Sequence, residues 1–495
     1  MTIPASSIEV TRLSPRISPE YLEENGVVPL GVIEGALHLG AWTDVHLHVR
    51  YELEAIAGVR AQIHRMGEDE ARALIRRAYG ETSAQSLIDS IGVTAASTNE
   101  DSVAIDDLRA MANEAPVIRL VSMLLTEALG ARASDVHLEA YPDALRVRYR
   151  IDGVLRDAPS PPLTMAPAVV SRLKVMANLD IAERRLPQDG RIRLPLQDRQ
   201  VDVRVSTVPT LHGESLVLRL LDKSASTLDL DALGMSSADL ARFEDVLRRP
   251  HGIVLATGPT GSGKTTTLYA ALQRLRTGRE KIVTVEDPVE YQLAGIPQVP
   301  VNERVGVTFA SALRSLLRQD PDVMLVGEIR DGETAEIATQ AALTGHLVLS
   351  TLHTNDAVGA LTRLVDLGVA PFLVAATVEA VLAQRLVRTT CIVCGAKVHA
   401  TDAERAELGL ATLKEVRRGA GCNACGNSGY TGRTGVYELI VLDDDMRTAI
   451  TGGGGATAVR ALARARGIPL LRDDGARLVV EGRTTPEEVL RVCRT

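Results

Sequence analysis

The chain has 495 residues, room for two to four domains, and its 45% hydrophobic and 24% charged residues suit ordinary globular cores. A net charge of -8 and an aromatic content of 3% argue against a dedicated nucleic-acid binder, which carries a basic surplus and stacking platforms. The opening residues lack a basic start followed by an apolar stretch, and the longest apolar run, Val369 to Leu386, is broken by Glu379. These features predict a cytosolic chain whose membrane link comes through a partner.

In chain order, Ser18-Pro19 supplies an N-cap and first helical residue and Gly26 a stop. "VVPLGVI" and "ALHLGAW" then read as short strands. The stretch Gly80 to Asp107 is rich in Ser, Thr, Asn and acids with weak periodicity, and reads as a linker with one helix. From about Ala115 a helix carries a wide apolar stripe (Val117, Leu120, Val121, Leu124, Leu125, Ala128). "ALRVRYRIDGVLRDA" alternates apolar and Arg residues around Asp152-Gly153, the signature of a hairpin with a type I′ turn. "QVDVRVSTVP" and "ESLVLRLLD" add strands, giving a small α+β domain that ends near Asp222. Beyond it, apolar strands alternate with helices, which predicts a doubly wound α/β domain. The divisions expected are residues 1–90, a linker 91–114, the small α+β domain 115–225, and the α/β domain 226–495.

Gly252 to Thr257 is an apolar strand, followed at once by Gly258-Pro259-Thr260-Gly261-Ser262-Gly263-Lys264-Thr265-Thr266 and an amphipathic helix. Strand, Gly-rich loop and helix together make GxxxxGK[ST] a phosphate-binding loop rather than an incidental turn. The glycines let backbone N–H groups turn inward, and the helix N-terminus adds partial positive charge. Lys264 is placed to reach β/γ oxygens of a nucleotide, and Thr265 to offer its hydroxyl to Mg²⁺. Glu328 follows the apolar strand Val323 to Val326, where a carboxylate can orient a water beside the γ-phosphate; otherwise it is a surface acid. Glu286, Asp287 and Glu290 follow the strand Ile282 to Val285, and acids so crowded call for a metal or arginines nearby unless the turn is simply solvated. His346 and His353 flank a third strand, Leu347 to Ser350, as phosphate or neighbour contacts or as structural histidines. In α/β folds such sites lie at the carboxyl ends of strands.

Cys391, Cys394, Cys422 and Cys425 form two C-x2-C pairs in Gly-rich surroundings, the spacing of a closed tetrahedral Zn²⁺ site without a catalytic position. The fifth cysteine, Cys493, reads as a small buried hydrophobe.

"GPTGSGKTTTLY", "TVEDPVEY", "LRSLLRQDPDVMLVGEIRD" and "GHLVLSTLHTNDA", in this order, resemble the secretion ATPases of type II secretion and type IV pilus assembly, as do "SDVHLE", "RLPQDGRIRL" and "EGRTTPEEVLRV". The resemblance runs from about Ala115 to the end and is loose before that. It implies a RecA-like P-loop NTPase core, a small PAS-like α+β domain covering nucleotide, an N-terminal docking domain and a zinc-binding insertion at 386–436. It also implies ATP and Mg²⁺ as ligands and a homo-hexamer. The hexamer would dock on the cytoplasmic part of an inner-membrane secretion-system protein, on the cytoplasmic face of that membrane. By the same resemblance Glu328 is the catalytic glutamate, Glu286 the acid of the Asp box, and His346 and His353 the histidines of the His box. Arg204 and Arg219 of the small domain, with Arg314 and Arg318, complete the site. Arginine suits transition-state phosphate charge, and supply from a moving domain couples hydrolysis to motion. The four-cysteine element favours an assembly ATPase over a retraction one, and the short N-terminal region favours type II secretion, with pilus extension as the alternative.

Overall fold

The computed structural model describes residues 13, 17, 19–33, 35–78, 84, 88, 105–196, 199–222 and 229–493. Most of the expected linker 91–114 lies outside these residues, and within it the helix α4 (Ile105–Ala112) is described.

The N-terminal unit runs α1 (Pro19–Glu24), β1 (Val27–Ile33), β2 (Ala36–Ala41), α2 (Leu47–Ala57), β3 (Ala61–Arg65) and α3 (Glu68–Ala78). β2 pairs antiparallel with β1 and parallel with β3. One face closes over Leu22, Val27, Leu37, Leu39, Val49, Leu53 and Ile75, which are fully or nearly fully buried. The strands β1 and β2 stand where their apolar spacing places them, and α2 carries little periodicity, whereas α3, with Ala71 and Ile75 buried on one face behind an acidic first turn, was legible in principle and was not picked out.

Next come α5 (Ala115–Gly130), β4 (Ala133–Ala140), β5 (Leu145–Ile151), β6 (Val154–Asp157), α6 (Ala166–Met176), β7 (Gln188–Leu196), β8 (Arg199–Thr210) and β9 (Gly213–Asp222). The strands form one sheet in the order β6-β5-β4-β9-β8-β7, every neighbouring pair antiparallel. The stripe of α5 is buried against it. Asp152 and Gly153 at the β5–β6 turn both have left-handed backbones (φ 50° and 83°), as a type I′ turn demands.

The last unit holds α7 (Ser237–Leu247), β10 (Gly252–Thr257), α8 (Lys264–Leu275), β11 (Ile282–Glu286), β12 (Gln298–Pro300), α9 (Phe309–Leu316), β13 (Val323–Val326), α10 (Gly332–Leu343) and β14 (Leu347–Leu352). It continues with α11 (Ala357–Asp366), α12 (Pro371–Thr377), β15 (Val378–Thr390), β16 (Gly395–His399), α13 (Asp402–Leu408), β17 (Glu415–Gly419) and β18 (Tyr430–Val441). α14 (Asp444–Thr451), α15 (Gly455–Ala465), α16 (Leu471–Val480) and α17 (Pro486–Val492) close the chain.

Its seven-stranded sheet has the order β12-β11-β13-β14-β10-β15-β18, parallel throughout except for the β15–β18 pair. Alternation sends Ile253 and Leu255 to one face and Val254 and Ala256 to the other, and helices cover both faces with separate apolar clusters. Strands buried on both sides read as continuous apolar runs, which is why β10, β13 and β14 were legible. The apolar run Val369 to Leu386 is a helix and a strand in succession, α12 followed by most of β15. No helix among the described residues is long and apolar enough to cross a membrane.

Candidate functional site

The parallel order brings the carboxyl ends of β13, β14 and β10 side by side. From β10 the chain enters the loop Gly258–Gly263, where Gly258, Gly261 and Gly263 all have positive φ. Two of these glycines are also held by contact. A Cβ on Gly258 would lie 2.5 Å from the Gln384 carbonyl oxygen, and one on Gly263 would lie 2.8 Å from the Gln384 side-chain nitrogen. The strand β15 therefore backs the loop closely. Gln384 is itself fixed by the hydroxyl of Thr267, which donates to it at 2.8 Å.

The loop fits a polyphosphate. Lys264 is buried, and its Nζ donates to the carbonyls of Gly258 (2.8 Å) and Pro259 (3.1 Å). Burial pushes the Lys264 ammonium down to about 8, with Glu328 opposing that shift and Arg385 adding to it. The Ser262 hydroxyl is buried without a protein partner, a polar atom that a phosphate oxygen can satisfy.

Glu328 follows β13 at the same edge. Its carboxylate accepts from His353 Nε2 at 3.1 Å and is gripped on its other oxygen by Arg330. Burial works to raise its pKa, but the Arg330 and His353 bonds outweigh it and hold the carboxyl below the usual range. An ionised carboxylate at the strand end, with its orientation fixed from both oxygens, is suited to aligning a water or accepting its proton. Arg330 also lies 3.7 Å from Asp287 and so links the ends of β11 and β13.

The other expected residues divide. His353 follows β14 and reaches Glu328, whereas His346 precedes β14, and a six-residue strand separates the two by about 20 Å. The His346 ring instead faces the Ala341 carbonyl at 2.9 Å and serves the end of α10. Glu286 is buried, and its carboxylate accepts from the hydroxyls of Tyr269 and Thr284 and from Gln298 Nε2 (3.0 Å). Glu290, further along the same turn, stands 3.8 Å from Arg204 of the small sheet. Arg204 also donates to the Val289 carbonyl at 3.4 Å, and burial lowers its pKa more than the Glu290 charge raises it. Arg219 pairs with Asp135 at 3.2 Å within its own sheet, and Arg314 pairs with Glu333 at 2.5 Å on the surface. Arg318 donates to the Arg314 carbonyl at 3.0 Å. Within this one chain Arg219, Arg314 and Arg318 thus have local partners away from Lys264. Arg330, Gln384 and Arg385 were not picked out from the sequence. An Arg two residues past Glu328, and a Gln-Arg pair interrupting an apolar strand, were the available signals.

The four cysteines meet where β15 ends and β18 begins. Their sulfurs all lie within 4.8 Å of one another, with Cys391–Cys422 at 3.9 Å, Cys394–Cys425 at 3.8 Å and Cys422–Cys425 at 3.7 Å. A tetrahedral Zn²⁺ with Zn–S of about 2.3 Å sets its sulfurs about 3.8 Å apart, whereas a disulfide requires about 2.05 Å. The backbone N–H groups of Cys422 (3.2 Å) and Gly429 (3.3 Å) donate to Cys425 Sγ, an arrangement that favours thiolate.

Comparison with known proteins agrees with this geometry. The family model described as type II/IV secretion system protein matches residues 110–491. A type II secretion system protein E of Pseudomonas aeruginosa is 48% identical, covering 100% of this chain and 99% of its own length. The type II secretion system ATPase E of Vibrio cholerae is 48% identical over 88% of this chain and 87% of its own. Among solved structures, the pilus retraction motor PilT with bound ADP aligns at TM-score 0.51 and 25% identity, over 75% of this chain and 96% of PilT. The Legionella pneumophila ATPase DotB aligns at TM-score 0.57 and 20% identity, over 76% and 95%, a likeness of fold. The chain belongs to the type II/IV secretion system protein family and is one of its ATPases.

Proposed function

We propose that this ATPase is the motor of a type II secretion system, hydrolysing ATP to drive pseudopilus assembly and protein export at the inner membrane. The observation that carries the reading is the meeting of Lys264, Glu328 and His353 at one edge of the parallel sheet. The type II names of its near full-length relatives favour this machine over pilus extension.

In this reading the loop Gly258–Gly263 gives backbone N–H groups to the phosphates, and Lys264 exchanges its two carbonyl partners for phosphate oxygens. Thr265 and Ser262 offer hydroxyls, Thr265 as the Mg²⁺ ligand. ATP with Mg²⁺ supplies the phosphoryl group and neutralises its charge. Glu328 holds the attacking water and takes up its proton, while Arg330 and His353 keep the carboxylate ionised and oriented. Arg204 brings positive charge from the small sheet to the Asp-box turn, and Glu286 anchors the base of that turn. Arg219, Arg314 and Arg318 would act across a hexamer interface. Cys391, Cys394, Cys422 and Cys425 would hold Zn²⁺ with four thiolates, which would supply structural bracing rather than a reacting position. Residues 1–90 dock on a membrane partner, so the motor sits peripherally on the cytoplasmic face.

Glu328→Gln tests the core of this reading. The variant retains nucleotide binding while turnover falls by about 10² to 10⁴, the scale of a lost general base. Turnover at the level of the unsubstituted protein overturns the assignment.

A further inference from the structure

Arg385 lies on β15 next to Gln384 and is half-buried beside the phosphate loop. Its Nη1 is 2.9 Å from where a Cβ on Gly258 would stand. Its Nη2 donates to the Asn355 carbonyl at 2.8 Å, just past His353. That segment is itself tied to the root of the loop, since the Thr354 N–H donates to the Thr257 hydroxyl at 2.9 Å. One guanidinium thus packs against the loop's first glycine, where its Nη1 donates to the Gln384 carbonyl at 3.1 Å, and bonds to the segment that follows β14.

Among the described residues Arg385 has no ion-pair partner. The acids that act on it do so from a distance, and each is engaged elsewhere. Asp356 pairs with Arg460 at 2.7 Å and caps α11. Glu438, which burial biases toward its neutral form, accepts from the backbone of Ala357 and Leu471. Cys493 nearby has its thiol pushed up to about 12 by burial and is neutral. On the other side stands Lys264, also a cation, with Glu328 as its acidic neighbour. Glu328 is already shared with Arg330 and His353, and half-buried cations set close together beyond the charge of their acids are costly unless an anion joins them.

We infer that Arg385 is a positioning residue for nucleotide: its charge supports the polyphosphate subsite, and its span between Gly258 and Asn355 fixes the phosphate loop against the His353 segment. This rests on the phosphate-loop reading above. Its close acceptors are the neutral carbonyl oxygens of Asn355 and Gln384 (3.1 Å), so the guanidinium has only distant acids for compensation, and a bound polyphosphate supplies a nearer one.

The experiment compares Arg385→Gln, Arg385→Lys and Lys264→Ala in the full chain, by equilibrium titration with a fluorescent ATP analogue and Mg²⁺, alongside melting temperature. The Gln variant is expected to bind about tenfold more weakly with its melting temperature unchanged. Lys, which keeps the charge, recovers most of that loss, and Lys264→Ala abolishes binding. Unchanged affinity in the Gln variant, with Lys264→Ala still abolishing binding, overturns the inference and spares the phosphate-loop reading. Equal losses in Gln and Lys accompanied by lower melting temperatures also overturn it, because they mark a packing role. Unchanged affinity in Lys264→Ala overturns the phosphate-loop reading itself.

Discussion

Tyr269→Phe separates an anchoring Glu286 from a reacting one. Tyr269 is fully buried on α8, and its hydroxyl donates to one oxygen of Glu286 while Thr284 and Gln298 serve the other. Burial and the Glu286 bond both push the phenol pKa well above its ordinary value, so the proton stays on the phenol and the bond is a donor to a carboxylate. The substitution removes that donor and, with it, only a long bond that the hydroxyl accepts from Gln298 Nε2 at 3.4 Å. The ring keeps its edge contact with Tyr291 (centroids 4.6 Å apart), and Glu286 keeps its other donors. A hydrogen bond to a charged group is worth about 1.5–3 kcal/mol, so the α/β unit should lose about 2 kcal/mol. At about 2–4 °C per kcal/mol for a unit of this size, its melting temperature falls by about 4–8 °C. Nucleotide affinity should stay within about twofold, because the hydroxyl serves the β11 end and not the phosphate loop, and turnover should fall less than tenfold. Calorimetry, nucleotide titration and steady-state hydrolysis on the same preparation read all three. A hundredfold loss of turnover with an unchanged melting temperature would refute the anchoring argument and place Glu286 among the reacting groups.

The remaining expectations concern charge and metal. With Lys264 at about 8, its ammonium is charged well below that pH, half lost at it and lost as pH rises further, so nucleotide affinity falls above pH 8, by up to tenfold per unit. A dissociation constant flat between pH 7 and 9.5 contradicts this, and Arg385→Gln should move the inflection upward, because Arg385 now depresses Lys264. Arg204→Ala removes a contact worth about 1 kcal/mol or less to stability, yet turnover should fall at least tenfold if the guanidinium serves the transferring phosphoryl group. Stability and turnover falling in proportion would make it a plain domain contact. Elemental analysis should find one zinc per chain, and Cys422→Ser should lose it and open residues 386–436 to protease while the phosphate loop still binds nucleotide.

How much of this was legible follows from what each residue depends on. The phosphate loop and the cysteine pairs are local, so spacing alone placed Lys264 and the four sulfurs. Glu328 needed only the end of an apolar strand. Glu286 did not yield to the same logic, because its direction depends on alternation. Ile282, Thr284 and Glu286 share the face that meets Tyr269, while Val283 and Val285 face the cluster around Phe309. Position at a strand end gave the place of that carboxylate but not which side it faces. His346 and His353 look equivalent as flanks of one strand, and only the parallel pairing of β14 with β10 sets one at the loop and the other at the opposite edge. Arg385 needed the β10–β15 pairing, a contact across more than a hundred residues of chain that no local pattern announces.

The same pairings bear on how hydrolysis becomes movement. Among the described residues, polar contacts join the small sheet to the α/β unit at two separated places. At one, Arg204 reaches Glu290 and Val289 on the turn that follows β11. At the other, the β5–β6 turn sits against the start of β18, where Asp152 accepts from the Gly432 N–H at 3.1 Å and stands 3.6 Å from Arg433. Arg156 donates to the Gly426 carbonyl in the four-cysteine element at 3.4 Å. These are long or partly exposed polar contacts, each worth about 1 kcal/mol or less, so the small sheet can shift at modest cost. A change at the Asp-box turn that releases Arg204 leaves the turn at Asp152 as a pivot, and that pivot rests on the element braced by the cysteine cluster. The cluster lies at the far end of β15 from the helix α12, on the strand that also carries Gln384 and Arg385 against the phosphate loop. In the proposed motor, a cysteine element closed by zinc would thus give the small sheet a bearing tied through one strand to the phosphate loop.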